Sequence, residues 1–355
     1  MIVEDTEIEV IETSNSRLSQ VDFDSIPFGR VFSDHMFQMD YENGEWTNIS
    51  ICPYGPIPMA PSASVLHYGQ AIFEGMKAYK TEDGKVGLFR PRENAKRLNE
   101  SAVRMCMPEI PVDLFIEGLS KLIQMDHNWI PQKRGSSLYI RPFMFATDTY
   151  IGVKASQTYK FLIFTGPVGS YYNNPLKLKV ERKYSRAAKG GFGQAKAAGN
   201  YAGSLYPAKL AKEEGFDQLL WTDSVEHEYV EESGTMNIGF FIDDEFYTPP
   251  TEGSILKGIT RNSVIQLLKE WGVKVNEAPI SIRFLRECFE NLRVKEAFGI
   301  GTAATIAPVE SISIDGTNFN IPMRENPYSL KLKNALEDIR TGRQEDVFNW
   351  MTWIQ

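Results

Sequence analysis

Short apolar or alternating runs recur along the chain at GKVGLFRP (84–91), SSLYIRPFMFATD (136–148) and YKFLIFTGPVG (159–169), and each predicts a β-strand. Between the first two, RENAKRLNESAVRM (92–105) and VDLFIEGLSKLIQM (112–125) change to helical spacing, with Leu114, Leu119 and Leu122 on one face and Phe115 beside them. The first half therefore reads as α+β. Residues 1–25 are polar and are expected to be extended or loosely ordered.

A cluster of turn formers, GPVGSYYNNP, follows the third strand, and beyond it the pattern restarts. Strands are expected at DQLLWTD (217–223) and NIGFFIDDEFYTPP (237–250), the latter a hairpin turning at Asp243 and Asp244. Helices are expected at NYAGSLYPAKLAKEEG, ITRNSVIQLLKEWG, SIRFLRECFENL and PYSLKLKNALEDIRTGR. At 355 residues the chain exceeds the roughly 250 to 300 that one core usually serves. Two domains follow, 1–166 and 177–355, joined by a loop over 167–176, in an α+β or α/β architecture.

Composition narrows the partners more than the fold. A formal net charge of −8 gives no electrostatic footprint for wrapping nucleic acid, which needs clustered cations, and no such partner is expected. No run approaches the roughly 20 apolar residues that span a bilayer, and the acidic start MIVEDTEIEVIETSNS lacks a basic n-region and an apolar h-region, so no membrane and a cytoplasmic location are expected. Cys52, Cys106 and Cys288 are odd in number and far apart, which fits reduced, buried thiols. His35, His67, His127 and His227 lack metal-ligand spacing, and no metal is expected.

The candidate chemistry centres on GQAKAAGNYAGS, where Lys196 stands among small residues with Tyr201 nearby. Alone, such a lysine reads as a solvated side chain beside a flexible loop. The glycines around it do not complete a nucleotide fingerprint. Small neighbours would, however, let a planar ligand approach, and a desolvated lysine amine is a nucleophile toward carbonyls. A pyridoxal phosphate site would also need a carboxylate, a phenol and a phosphate cradle. Glu232 in EYVEESGTMN, Tyr201, and the helix start in KGITRNS or the turn in GIGTAAT are candidates, each of them ordinary when taken singly.

Taken in order, HYGQAIFEGMKAY, LFRPRENAKRL, LYIRP, GPVGSYY, AKAAGNYAGS, EESGTMN, LKGITR and GTAATIAPV resemble the fold-type IV pyridoxal-phosphate enzymes, and among them the branched-chain amino acid aminotransferases. The resemblance runs from about residue 30 onward. It implies a small α/β domain and a larger domain with a mixed sheet, with the cofactor at the domain interface. It also implies a homodimer, and ping-pong transfer of the amino group of leucine, isoleucine or valine to 2-oxoglutarate.

By that resemblance Lys196 is the Schiff-base lysine and proton carrier, Glu232 pairs with the pyridine nitrogen and Tyr201 bonds the ring oxygen. Arg97, Ile259, Thr260 and Thr302 hold the phosphate. Thr235, Thr302 and Ala303 meet the substrate, the last two through backbone amides at its α-carboxylate. Phe73, Tyr68 and Tyr139 line the side-chain pocket, and Arg141 meets the distal carboxylate of glutamate. Tyr171, Ile151 and Val153 resemble residues that reach the neighbouring subunit's site. Some family members carry a C-x-x-C after the GTA turn; Ala304 and Ala307 stand there, so no thiol switch is implied. The same fold also serves D-amino acid aminotransferase, aminodeoxychorismate lyase and inert pyridoxal-phosphate carriers. The FEGMKAY and GTAATIAPV segments and Arg141 favour the branched-chain enzyme over the first two, and the joint presence of Lys196, Glu232, Tyr201 and Arg97 argues against a carrier.

Overall fold

A computed structural model describes residues 7–169 and 174–354. The chain forms two compact units. In the first, strands β1 (Glu9–Val10), β2 (His35–Glu42), β3 (Glu45–Pro53), β4 (Ala71–Phe73), β5 (Met76–Lys80), β6 (Val86–Phe89), β7 (Ser137–Ala146) and β8 (Tyr159–Val168) share one sheet. Its order is β1-β3-β2-β8-β7-β5-β6, with β4 also on β7. Helices α1 (Ser64–Tyr68), α2 (Pro91–Arg104) and α3 (Val112–Met125) complete it. Phe37, Phe115 and Phe161 are fully buried, and the Phe161 ring contacts both of the others, joining α3 to the sheet. Gly118 permits that approach, because a Cβ there would lie 2.5 Å from the Phe37 ring.

Residues 7–25 are neither extended throughout nor loose: strand β1 covers only Glu9–Val10, and a 3-10 turn covers Leu18–Gln20. Ile8 joins the core and β1 runs parallel to β3. Asp34 accepts from the Ser16 hydroxyl at 2.6 Å and the Arg17 amide at 2.9 Å. His35 Nδ1 lies 2.7 Å from Asp126 Oδ1, and Nε2 accepts from the Thr13 amide at 3.0 Å, which assigns the ring proton to Nδ1. Polarity alone misreads this stretch because its polar groups find buried partners.

The second unit carries β9 (Leu176–Val180), β10 (Gln218–Thr222), β11 (Val230–Ser233), β12 (Asn237–Ile242), β13 (Glu245–Thr248), β14 (Val275–Glu277), β15 (Val294–Gly301), β16 (Thr305–Ile314) and β17 (Thr317–Asn320). Their mixed sheet runs β11-β10-β9-β16-β15-β12-β13-β14, with β17 on β16. The β12–β13 hairpin turns at Asp243 and Asp244, with Asp243 at φ +54°. The helices are α4 (Ala198–Glu213), α5 (Ile259–Glu270), α6 (Ile282–Glu290) and α7 (Tyr328–Arg340). Helix α6 opens on Ser281, whose hydroxyl accepts from the Phe284 amide at 3.0 Å, and it buries Ile282, Leu285, Cys288 and Phe289 along one face. Of the three cysteines, only Cys288 is buried; Cys52 is partly exposed and Cys106 exposed, against the expectation of buried thiols, and none is in a disulfide.

Two segments leave the linear division expected from the turn cluster. Residues 195–198 and 337–354 belong to the first unit, although 177–355 was assigned to the second domain. Hydrogen bonding explains both: Ala197 bridges Ile72 of β4, and β18 (Met351–Ile354) pairs antiparallel with β6.

Candidate functional site

Lys196 is fixed through its backbone. Its amide donates to the Ser101 hydroxyl of α2 at 2.9 Å, and its carbonyl accepts from the Phe73 amide at 3.0 Å. Because side chains alternate in an extended segment, Ala195 and Ala197 point into the first unit's core, where both are buried, and Lys196 points the other way. Small residues flank the lysine because the core behind it is full. Its Nζ lies 4.8 Å from the centre of the Phe73 ring, a cation–π distance.

Phe73 connects Lys196 to the aromatic candidates. The Arg141 guanidinium sits 4.7 Å from the Phe73 ring centre and 5.4 Å from that of Tyr139, and Nη2 donates to the Tyr139 hydroxyl at 3.0 Å. Arg141 Nε is buried with no hydrogen-bond partner among the described residues. Gly75 makes room for the phenol, since a Cβ there would run into the Tyr139 oxygen. Phe28, which the sequence reading passed over, packs edge-on against Tyr139 at 5.4 Å. Its own stretch, SIPFGRVF, has no clear period that marks it. Tyr68 ends α1 and is 42% exposed, and no described contact joins it to this cluster.

Arg97, on the buried face of α2, faces Glu74. Its Nε donates to Glu74 Oε1 at 2.7 Å and its Nη2 to Oε2 at 2.9 Å, a bidentate pair. Burial would raise the Glu74 carboxyl, but the charge and hydrogen bonds of Arg97 and the charge of Lys196 outweigh it and hold the group below the usual carboxylate range.

In the second unit Glu232 lies buried on β11, ahead of the tight turn Gly234–Thr235 that joins β11 to β12. Oε1 accepts from the Leu256 amide at 3.0 Å and stands 3.4 Å from Asn237 Nδ2. Oε2 lies 3.0 Å from Arg186 Nε, an ionic contact whose angle does not make it a hydrogen bond. Thr235 is exposed at the turn. Helix α5 starts at Ile259 with no side-chain cap, Gly258 preceding it and Thr260 buried. A Cβ on Gly258 would collide with Asn237 Oδ1, so the approach to this helix start is open only to glycine. Thr302 and Ala303 occupy the loop that closes the β15–β16 hairpin, where Gly301 pairs with Thr305. Tyr201 lies in the first turns of α4.

Ile151 and Val153 are 68% and 91% exposed on the irregular link between β7 and β8, and Tyr171 lies outside the described residues. Among the described residues no cluster of His, Cys, Asp or Glu suits a metal. No helix among them is long and apolar enough to cross a membrane. Each unit by itself offers donor types that pyridoxal phosphate takes: the first a tethered amine beside an aromatic ring and a fixed arginine, the second a buried carboxylate and a helix start without a side-chain cap.

Comparison with known proteins agrees with this chemistry. The model of class IV aminotransferases matches residues 71–312. Branched-chain-amino-acid aminotransferase 2 of Bacillus subtilis (strain 168) is 47% identical, covering 97% of this chain and 96% of its own length. The crystal structure of Escherichia coli branched-chain amino acid aminotransferase superposes with a TM-score of 0.74 at 28% identity, covering 91% of this chain and 99% of that one. The branched-chain amino acid aminotransferase of T.th., complexed with N-(5′-phosphopyridoxyl)-L-glutamate, gives a TM-score of 0.72 at 25% identity, covering 89% and 98%. With the family model matched over most of its length and relatives of this identity, the chain belongs to the class IV aminotransferases, and among them to the pyridoxal-phosphate-dependent branched-chain amino acid aminotransferase family.

Proposed function

We propose that this enzyme moves the α-amino group of L-leucine, L-isoleucine or L-valine to 2-oxoglutarate, yielding the branched 2-oxo acid and L-glutamate in two half-reactions. The observation that carries the reading is the run Lys196–Phe73–Arg141–Tyr139 in the first unit: an amine against an apolar ring, next to a half-buried guanidinium whose Nε is buried and has no hydrogen-bond partner among the described residues. An apolar wall suits a branched side chain. One cation in that wall suits the distal carboxylate of glutamate, which a purely apolar pocket would reject.

Bound pyridoxal phosphate supplies a carbonyl carbon that takes up the amino group and a ring that accepts the electron pair freed at Cα. Lys196 Nζ carries the proton that leaves the substrate Cα, and the backbone ties on both sides of it keep the amine at one height above Phe73. Glu232 keeps a negative charge toward the ring nitrogen. The Leu256 amide and Arg186 hold its two oxygens in place. Tyr201 donates to the ring oxygen, while Arg97, Ile259, Thr260 and Thr302 meet the phosphate. Thr235, Thr302 and Ala303 receive the substrate, with Tyr68, Phe73 and Tyr139 around its side chain.

The working form is a homodimer in the same reading, with Tyr171, Ile151 and Val153 reaching the neighbouring site. The exposed apolar run Tyr150, Ile151 and Val153 supports it. A cytoplasmic location is favoured by three thiols outside any disulfide.

The test is the absorbance of the purified holoenzyme on adding L-leucine without an oxo acid, with D-alanine in parallel and Lys196→Ala as control. Conversion to the amine form of the cofactor by L-leucine alone, absent in the variant, is expected. Conversion by D-alanine instead assigns the chain to the D-amino acid branch of the fold.

A further inference from the structure

Glu74 belongs to no part of the reaction assigned so far, yet among the described residues of the first unit it is the most enclosed charged group, with no exposed surface. Besides the two bonds from Arg97, its Oε2 accepts from Asn94 Nδ2 at 2.8 Å and from the Gly75 amide at 3.1 Å. Its own amide donates to the Pro142 carbonyl at 2.8 Å. Asn94 and Arg97 stand three residues apart on α2 and so share a face. The carboxylate is thereby locked in position and orientation, and it passes that orientation to the guanidinium through two parallel bonds.

We propose that Glu74 is a positioning residue that holds the Arg97 guanidinium in the orientation in which it meets the cofactor's phosphate. The inference rests on the reading that Arg97 is a phosphate ligand. Glu74 directly follows Phe73, whose amide holds the Lys196 carbonyl. Adjacent residues therefore anchor the amine that bonds one end of the cofactor and the cation that holds its other end. A guanidinium on a flexible stem would have to be ordered when the phosphate arrives. A guanidinium already clamped loses little freedom at that step.

Charge alone predicts the opposite sign. A carboxylate near a dianion repels it, so removing the negative charge would tighten phosphate binding if orientation did not matter. The two effects separate in the ratio of affinities for pyridoxal 5′-phosphate and for pyridoxal, which lacks the phosphate. A general loss of fold weakens both ligands together and leaves the ratio unchanged.

The experiment measures both dissociation constants by equilibrium titration on the full chain freed of cofactor, for the wild type, Arg97→Met, Glu74→Gln and the double variant. Glu74→Gln is expected to lower the preference for the phosphorylated ligand by about tenfold, the weight of one charge-assisted hydrogen bond. The double variant should lose no more than Arg97→Met. If Arg97→Met lowers the preference and Glu74→Gln leaves it unchanged or raises it, Glu74 does not position Arg97, and the phosphate assignment stands. If Arg97→Met itself changes nothing, the phosphate assignment fails and takes this inference with it. Should Glu74→Gln not fold, because it leaves a buried guanidinium without its counter-charge, Glu74→Asp decides. That variant keeps the charge but draws it back by one methylene, and the same fall is expected.

Discussion

Glu231 and Glu232 are neighbours on β11 and both are buried, yet they are held differently. Glu232 has partners on both oxygens. Glu231 takes a short hydrogen bond from the Ser254 hydroxyl on Oε1, and its Oε2 is buried with no partner among the described residues. Burial pushes the Glu231 carboxyl up from 4.5 to about 7, and the charges of Glu232 and Asp223 add to this against the pull of Ser254 and Arg186. A carboxyl raised in the folded state stabilises while it is neutral. Its contribution is complete below about pH 4.5 and is lost as the pH climbs through about 7. Glu231→Gln cannot ionise, so its stability relative to wild type should rise over that window by up to about 3 kcal/mol. Urea midpoints at pH 5 and pH 8 check it: a variant-to-wild-type difference that is the same at both values would defeat the assignment. Lys196, Arg97 and Glu232 stand out as candidates in the sequence through the joint order of the strings AKAAGNYAGS, LFRPRENAKRL and EESGTMN, each ordinary when taken singly. Their keepers do not. Glu74, Arg186 and Ser101 act through contacts across tens of residues, and a motif or helical period around one partner does not say which distant residue it meets.

Helical spacing and apolar runs of several residues were the signals that located elements. Helix α3 runs over Val112–Met125, the stretch read from its leucine spacing, and β7 and β8 lie inside their predicted runs. Strand β5 escaped notice because its five residues MKAYK include two lysines, one of them the buried Lys77, so the run is neither continuously apolar nor alternating. The three residues of β4 are too few to show any period. GIGTAAT, read as a possible phosphate turn, also closes the β15–β16 hairpin with Thr305 at φ +61°, so one string serves a structural need as well as its candidate chemistry. Helix α6 offers a direct test of an element's end. Replacing Ser281 by alanine removes the acceptor for the Phe284 amide and should cost about 1 kcal/mol, read as a lower urea midpoint with an unchanged slope. No loss would mean that solvent caps the helix equally well.

At the scale of the whole molecule, each unit has its own hydrophobic core: one around Phe37, Phe115 and Phe161, the other around Leu178, Phe240 and Ile312. The proposed self-association is tested at this scale. If Val153 lies between subunits, Val153→Asp should shift sedimentation of the purified enzyme from dimer toward monomer at micromolar concentration. Wild-type sedimentation as a monomer would end the dimer reading. The composition of the first unit has a consequence for how the enzyme comes into being. Its sheet gains β18 only from residues 351–354, and its core gains Ala195 and Ala197 only after β9 has been made. A ribosome releases the chain from its N-terminus, so the first unit cannot finish before the second during synthesis. Until residues 351–354 emerge, β6 remains an open edge, exposed to pairing with another nascent chain.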